Sequence, residues 1–208
     1  MKGRLIVFEG LDGCGKSTQM KLCAQRLTKA GFDVLTIREP GSTKAGEKIR
    51  KIILSHSSEL DVRAELLLFL AARAQLCHDI IAPALKEKRV VLADRFLWSS
   101  AAYQGAGLGA GIDHVLRIGR YATYGIKPDL YIVFDIDPAL GFMRRGETHD
   151  RIEARSREFF NKVRLGYRAL VAGTPGSSVL LDGSRDIESL SDEVAGHVAG
   201  VLGLDRLP

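Results

Sequence analysis

Cysteine is scarce in these 208 residues. Only Cys14, Cys23 and Cys77 are present, widely separated and odd in number, which excludes a disulfide framework. They read as reduced thiols of a cytoplasmic protein. The five histidines do not pair with cysteines or carboxylates at zinc-ligand spacing. Long apolar runs are missing too. The longest, 66–72, lies between Glu65 and Arg73 and is too short to span a bilayer, so no membrane association is expected. The short apolar stretch 5–8 runs directly into a glycine-rich motif and does not read as a signal peptide. Asparagine occurs once, as Asn161, followed by Lys162, Val163 and Arg164, so a guanine-reading Asn-Lys-x-Asp is absent and a GTPase of that kind is excluded. The net charge of +5 could suit nucleic acid, but the arginines form no basic tail and do not interleave with aromatics. No nucleic-acid partner is expected, and the arginines suggest pockets for small anions.

What is present is an alternation of strand and helix without repeats or linkers. Apolar runs at 4–9, 33–37, 89–93, 130–135 and 178–181 read as five strands. Helices are expected at 15–30, 44–54, 61–86, 112–124, 138–144, 152–172 and 186–202, with Asp61 near the start of the third and Pro83 bending it. This order implies one α/β domain over 1–208, a three-layer α/β/α arrangement around a five-stranded parallel sheet. Ligands of such folds bind beyond the carboxyl ends of the strands. The chemistry is therefore sought in 9–17, 38–43, 94–104 and 135–151.

The first of these segments, Gly10-Leu11-Asp12-Gly13-Cys14-Gly15-Lys16-Ser17, followed by Thr18, matches G-x-x-x-x-G-K-[ST] between a strand and a helix. Glycines let the backbone close around a phosphate, and the helix N-terminus supplies N–H groups and positive dipole. Lys16 is placed for the β- and γ-phosphates of ATP, and Ser17 for Mg²⁺. The loop implies nucleotide binding but does not separate a kinase from an ATP-driven switch.

Three further groups favour a kinase. Arg38-Glu39-Pro40-Gly41 follows the second strand and sets Arg38 at the crevice. Asp94-Arg95 ends the third, pairing a carboxylate suited to the Mg²⁺ water shell with a phosphate-clamping guanidinium. Phe69 and Arg73 share a helix face and together suit a base, although Phe69 taken alone reads as core.

These segments, with Phe69-Leu70-Ala71-Ala72-Arg73, the run from Asp94 to Gly105 and Lys127-Pro128-Asp129, resemble bacterial thymidylate kinase along nearly the whole chain. The resemblance implies transfer from Mg-ATP to dTMP by a cytoplasmic enzyme, commonly a homodimer. It implies that Phe69 stacks on thymine, Arg73 bonds a base carbonyl, and Arg38 and Arg95 hold the acceptor phosphate. Asp12 lies near the acceptor sugar and phosphate, Ser99 and Gln104 near the base, and Tyr103 against the sugar 2′ position. A kinase for another nucleoside monophosphate remains the alternative acceptor reading.

Residues 141–157 carry five arginines, with Gly141 and Gly146 as hinges, and suggest a short lid. The bland alternative is a solvated helix with pairs such as Glu147–Arg151. The phosphate loop holds no basic residue between Gly10 and Gly15, so the chain resembles the group whose catalytic arginine sits in the lid. Arg145 and Arg151 are both candidates. Glu153 joins the acceptor site by the same resemblance.

Overall fold

The computed structural model describes residues 2–145 and 150–208, with Arg145 described by its backbone alone. The expected hinge at Gly146, the Glu147–Arg151 pair and the Arg145 guanidinium lie outside the described residues.

Five parallel strands form one sheet: β1 (Arg4–Gly10), β2 (Val34–Arg38), β3 (Val90–Asp94), β4 (Leu130–Asp135) and β5 (Ser178–Asp182), in the order β2-β3-β1-β4-β5. β1 is central and almost wholly buried, as its continuous apolar run requires. Its neighbours β3 and β4 pair with it on opposite edges. The chain reverses direction across the sheet there, and a crevice opens at the carboxyl ends of β1 and β3.

Helices α1 (Lys16–Lys29) and α9 (Ile187–Leu202) pack together over one face. The other face carries α3 (Val62–Leu76), α5 (Leu97–Ser100) and α8 (Arg157–Ala172). α2 (Lys44–Leu54) lies against α3. α6 (Ile112–Ala122) packs on α3 and α5, and α7 (Pro138–Arg145) leads towards the expected lid. Asp61 caps α3 by accepting from the Arg63 N–H, and Ser156 caps α8 by accepting from Phe159. The second cap starts α8 at Arg157 rather than at the expected 152, and 150–156 instead forms a turn around the Asp150 carboxylate.

Two wide turns depart from the expected pattern. The third helix passes through a π-helical stretch, Cys77–Ile81, into α4 (Ala82–Lys86). Pro83 has no N–H to offer the preceding turn, and the widened turn accommodates it. With this turn included, Val62–Lys86 is long and apolar enough to cross a membrane by length and composition, but Leu66, Leu70, Leu76, Cys77 and Ile81 are buried in the core. A second π-helical stretch, Ala101–Gly107, continues α5. This helix was not expected. Its run of small residues has no clear apolar stripe, and its stability comes from α8, which approaches closely enough that a Cβ on Gly166 would lie 2.8 Å from the Ala106 Cβ.

Gly10 sits where β1 becomes the phosphate loop, at φ +138°, and an added Cβ would lie 2.5 Å from the Phe134 carbonyl oxygen of β4. Gly10→Ala is expected to cost on the order of 2 kcal/mol or more, read as a lower urea midpoint. An unchanged midpoint would contradict this packing.

Candidate active site

Gly13 (φ +81°) and Gly15 (φ +95°) bend the loop after β1 into the N-terminus of α1. The first N–H groups of a helix have no intrahelical partner, so they face the crevice as anion donors. A cleft of about 800 Å³ is lined by Asp12 through Gln19 on one side and by Arg144 and residues after β5 on the other. Of the expected ATP-binding residues, Asp12, Gly13, Cys14, Gly15, Lys16, Ser17 and Thr18 line it, whereas Gly10 and Leu11 form the buried root of the loop. Lys16 is held along the loop, donating to the Leu11 carbonyl at 3.0 Å with Asp12 at 3.6 Å. Ser17 donates to Asp94 at 2.7 Å. Cys14 is fully buried, and burial raises its pKa, so it is packing rather than a reactive thiol.

A second, smaller cleft lies beyond β3. Asp12, Glu39, Arg50, Phe69, Arg95, Tyr103, Gln104 and Glu153 all line it. Phe69 is half-buried and faces this space instead of disappearing into the core. Ser99 and Tyr103, and likewise Ser100 and Gln104, are four residues apart, so one helix face supplies all four to the wall. Asp12 belongs to both clefts, so the phosphate loop is their common wall.

Arg95 is the central cation. It takes a positive φ of 71°, unusual for an arginine, and donates to Asp12 at 2.6 Å, Ser99 at 3.1 Å and Tyr103 at 3.3 Å. Burial alone would lower its pKa. The Asp12 carboxylate reverses this, with help from Tyr103 and Tyr167, and holds it well above its ordinary value.

Beneath Arg95 lies Glu9, fully buried at the end of β1. It accepts from the backbone N–H of Phe96 (2.9 Å) and Ser99 (3.0 Å), from the Ser99 hydroxyl (2.6 Å) and from the Tyr167 hydroxyl (2.9 Å). Burial raises its pKa, while the Ser99 bond, the Arg95 charge and the Phe96 and Tyr167 bonds pull it back. Ser99, expected near the base, thus stands at the guanidinium end of the cleft.

Other expected residues are placed differently. Arg73 is 1% exposed and does not line the cleft: it donates to Glu39 at 2.6 Å, Ser100 at 3.0 Å and the Phe96 carbonyl at 2.9 Å. Arg38 is exposed and turned to Glu47 at 3.2 Å. Arg50 lines the cleft in its place, donating to the Pro40 carbonyl at 2.9 Å. Its signal was its position between Gly46 and Ile53, the buried residues of α2, which puts a cation on the inward stripe. Arg151 lines neither cleft. It donates to Glu65 at 2.7 Å and to the Ile53 carbonyl at 2.9 Å. Arg144, counted only as one of five arginines, donates to the Gly183 carbonyl at 2.7 Å and closes the far wall of the larger cleft.

A phosphate loop with two clefts meeting across it defines an ATP-dependent nucleotide kinase. A model of the thymidylate kinase family matches residues 8–194. A thymidylate kinase of Thermoanaerobacter sp. (strain X514) is 44% identical over 93% of this chain and 96% of its own length. Those of Kosmotoga olearia and Pelotomaculum thermopropionicum are 45% and 47% identical, over 91% and 89% of this chain and 92% and 88% of their own lengths. The chain belongs to the thymidylate kinase family.

Burial pushes the Glu39 carboxyl from its ordinary 4.5 up to about 7, with Arg73 opposing and Glu9 adding to the rise. A raised acid contributes stability below its unfolded pKa that is lost as pH rises through the folded one. Relative to Glu39→Gln, the native chain should lose stability between pH 4.5 and about 7, by roughly 3 kcal/mol at most. Urea denaturation of both proteins at pH 5 and pH 8 reads this. A stability difference that does not move with pH would place the charge elsewhere.

Proposed function

We propose that the chain transfers the γ-phosphoryl group of ATP to the phosphate of dTMP, yielding ADP and dTDP for dTTP synthesis. The observation that carries this reading is Asp12, which lines both clefts and is gripped by Arg95. A donor phosphate on the loop and an acceptor phosphate at Arg95 would face each other across this residue.

The acceptor phosphate has a second pKa of ~6 and is largely dianionic at neutral pH, so its oxygen needs no strong base. The difficulty is to bring two polyanions into line, and positioned cations meet it. Lys16 serves the donor, Arg95 and Arg50 the acceptor. Arg38 stands close enough behind Arg50 to lower its pKa, after burial as the first cause. The hydroxyl of Ser17 and the carboxylate of Asp94 are adjacent oxygen donors that fit a hard cation, and Mg²⁺ held there would neutralise charge on the donor phosphates. Asp12 orients Arg95 until a phosphate oxygen takes its place.

Phe69 offers a ring face to the base, and Arg73, buried behind the wall, would reach a base carbonyl only on leaving its bond to Ser100. Gln104 donates its amide nitrogen to Glu65, which leaves its amide oxygen as an acceptor for a ring N–H. Tyr103 packs edge-on against Phe159, Phe160 and Tyr167, a fixed position from which its ring would exclude a 2′-hydroxyl. We assign residues 141–157 as the lid, with Glu153 at its acceptor side. Arg145 is favoured over Arg151 as its catalytic arginine, because Glu65 and the Ile53 carbonyl already hold Arg151. The cytoplasm is the proposed location, supported by three buried free thiols. A homodimer is supported by exposed Leu67, Tyr121 and Tyr124 around α3 and α6, and a monomer in sedimentation equilibrium at micromolar concentration would remove it.

ADP formation from Mg-ATP with dTMP, dUMP, UMP, dCMP, dGMP and dAMP tests the reading. Strong turnover with dTMP, less with dUMP and little with UMP is expected. Turnover on a different monophosphate would overturn the base pocket, and silence on all six would overturn the kinase reading.

A further inference from the structure

Glu65 is an unexpected charge. It lies in the first turn of α3, its side chain is 0% exposed, and the expected motifs give it no task. Three donors converge on it. Oε1 accepts from Gln104 Nε2 at 2.8 Å, and Oε2 accepts from Arg151 Nη2 at 2.7 Å and Arg155 Nη2 at 2.6 Å. The two arginines cancel the cost of burying the carboxylate, which would otherwise be large. They are held in turn: Arg151 by the Ile53 carbonyl at 2.9 Å, and Arg155 by the ring of Phe159, 4.7 Å from its centroid.

We infer that Glu65 is a positioning residue that sets which bases the acceptor cleft accepts. A carboxylate that takes two guanidinium donors on Oε2 offers Oε1 as an acceptor, so the Gln104 amide turns its nitrogen to Glu65 and its oxygen the other way. Gln104 is 1% exposed and lines the cleft, so Glu65, its partner in the wall, rather than bulk water, sets which end of the amide faces inward. The wall therefore presents an acceptor. A base with a ring N–H at the matching position, as in thymine or uracil, satisfies it. Cytosine carries a lone pair there and would face the amide oxygen, leaving two acceptors opposed and dehydrated. Arg151 and Arg155 hold the Glu65 carboxylate in place, so the turn 150–156, which also brings Asp150, Ile152 and Glu153 to the cleft, takes part in base selection.

This inference rests on the reading of Gln104 as facing the base. Its test is the ratio of kcat/KM for dTMP to that for dCMP, with ATP affinity as the control. In Glu65→Gln the partner can present either an amide oxygen or an amide nitrogen, so Gln104 is free to flip. The ratio should fall at least tenfold, mainly through a higher KM for dTMP, while ATP binds as before. In a Gln104→Leu background the same substitution should leave the ratio unchanged, because Glu65 acts through Gln104. Should Glu65→Gln fail to fold, Glu65→Asp retains the charge and withdraws it by one methylene, and the ratio should again fall. A native ratio in a folded Glu65 variant, or equal losses with and without Gln104, overturns the inference. A native protein that does not prefer dTMP to dCMP overturns the reading beneath it instead.

Discussion

The smaller cleft of this enzyme, the proposed acceptor side, is organised by one buried carboxylate. Glu9, the last residue but one of the central strand, has no access to water and receives four hydrogen bonds. They come from the start of α5 and from α8, so one side chain ties the phosphate loop's own strand to both elements of the acceptor wall. Protonation would turn an acceptor into a donor and break one of these bonds. Its charge lies under Arg95, whose guanidinium contacts Ser99 and Asp12 at the mouth of the cleft. Glu9 thus holds Ser99, Ser99 and Asp12 hold the Arg95 guanidinium, and that cation faces the place where an anionic substrate is expected.

The same logic recurs around the cleft. Arg73 is buried against Glu39, and Arg151 and Arg155 against Glu65. Breaking such a pair is costly because the remaining charge is stranded in low dielectric, so each pair adds positional rigidity even where its net stabilisation is small. Three buried carboxylates hold arginines or polar side chains at three points of one wall. Preorganisation of this kind matters when the reaction brings two polyanions together and uses no covalent intermediate.

Much of the architecture was legible because the strands are apolar runs separated by helices with clear stops. The five strands fall within one residue of their expected bounds, and the phosphate loop sits between β1 and α1 as its glycines require. The helix 97–107 was not legible, since small residues carry little periodic signal and contact with α8 is what orders it. Phe69 taken alone read as core, the resemblance put it at the base instead, and it is half-buried and lines the cleft. Nothing local in the sequence marks Glu9, Glu39 and Glu65 as buried. Only pairing across distant elements explains their burial: Glu65 meets Gln104, Arg151 and Arg155 from 39 to 90 positions away. Arg50 was missed because no motif marks it, although its place between the buried Gly46 and Ile53 puts it on the inward stripe of α2.

The central claim is that Glu9 organises the acceptor cleft without serving the donor cleft. Calorimetric titration of Glu9→Gln with dTMP and, separately, with Mg-ATP tests it most directly. The account predicts at least tenfold weaker dTMP binding with ATP affinity within about threefold of the native protein, a loss of ~1.4 kcal/mol or more confined to one substrate. Unchanged dTMP affinity, or equal weakening of both ligands, would contradict it.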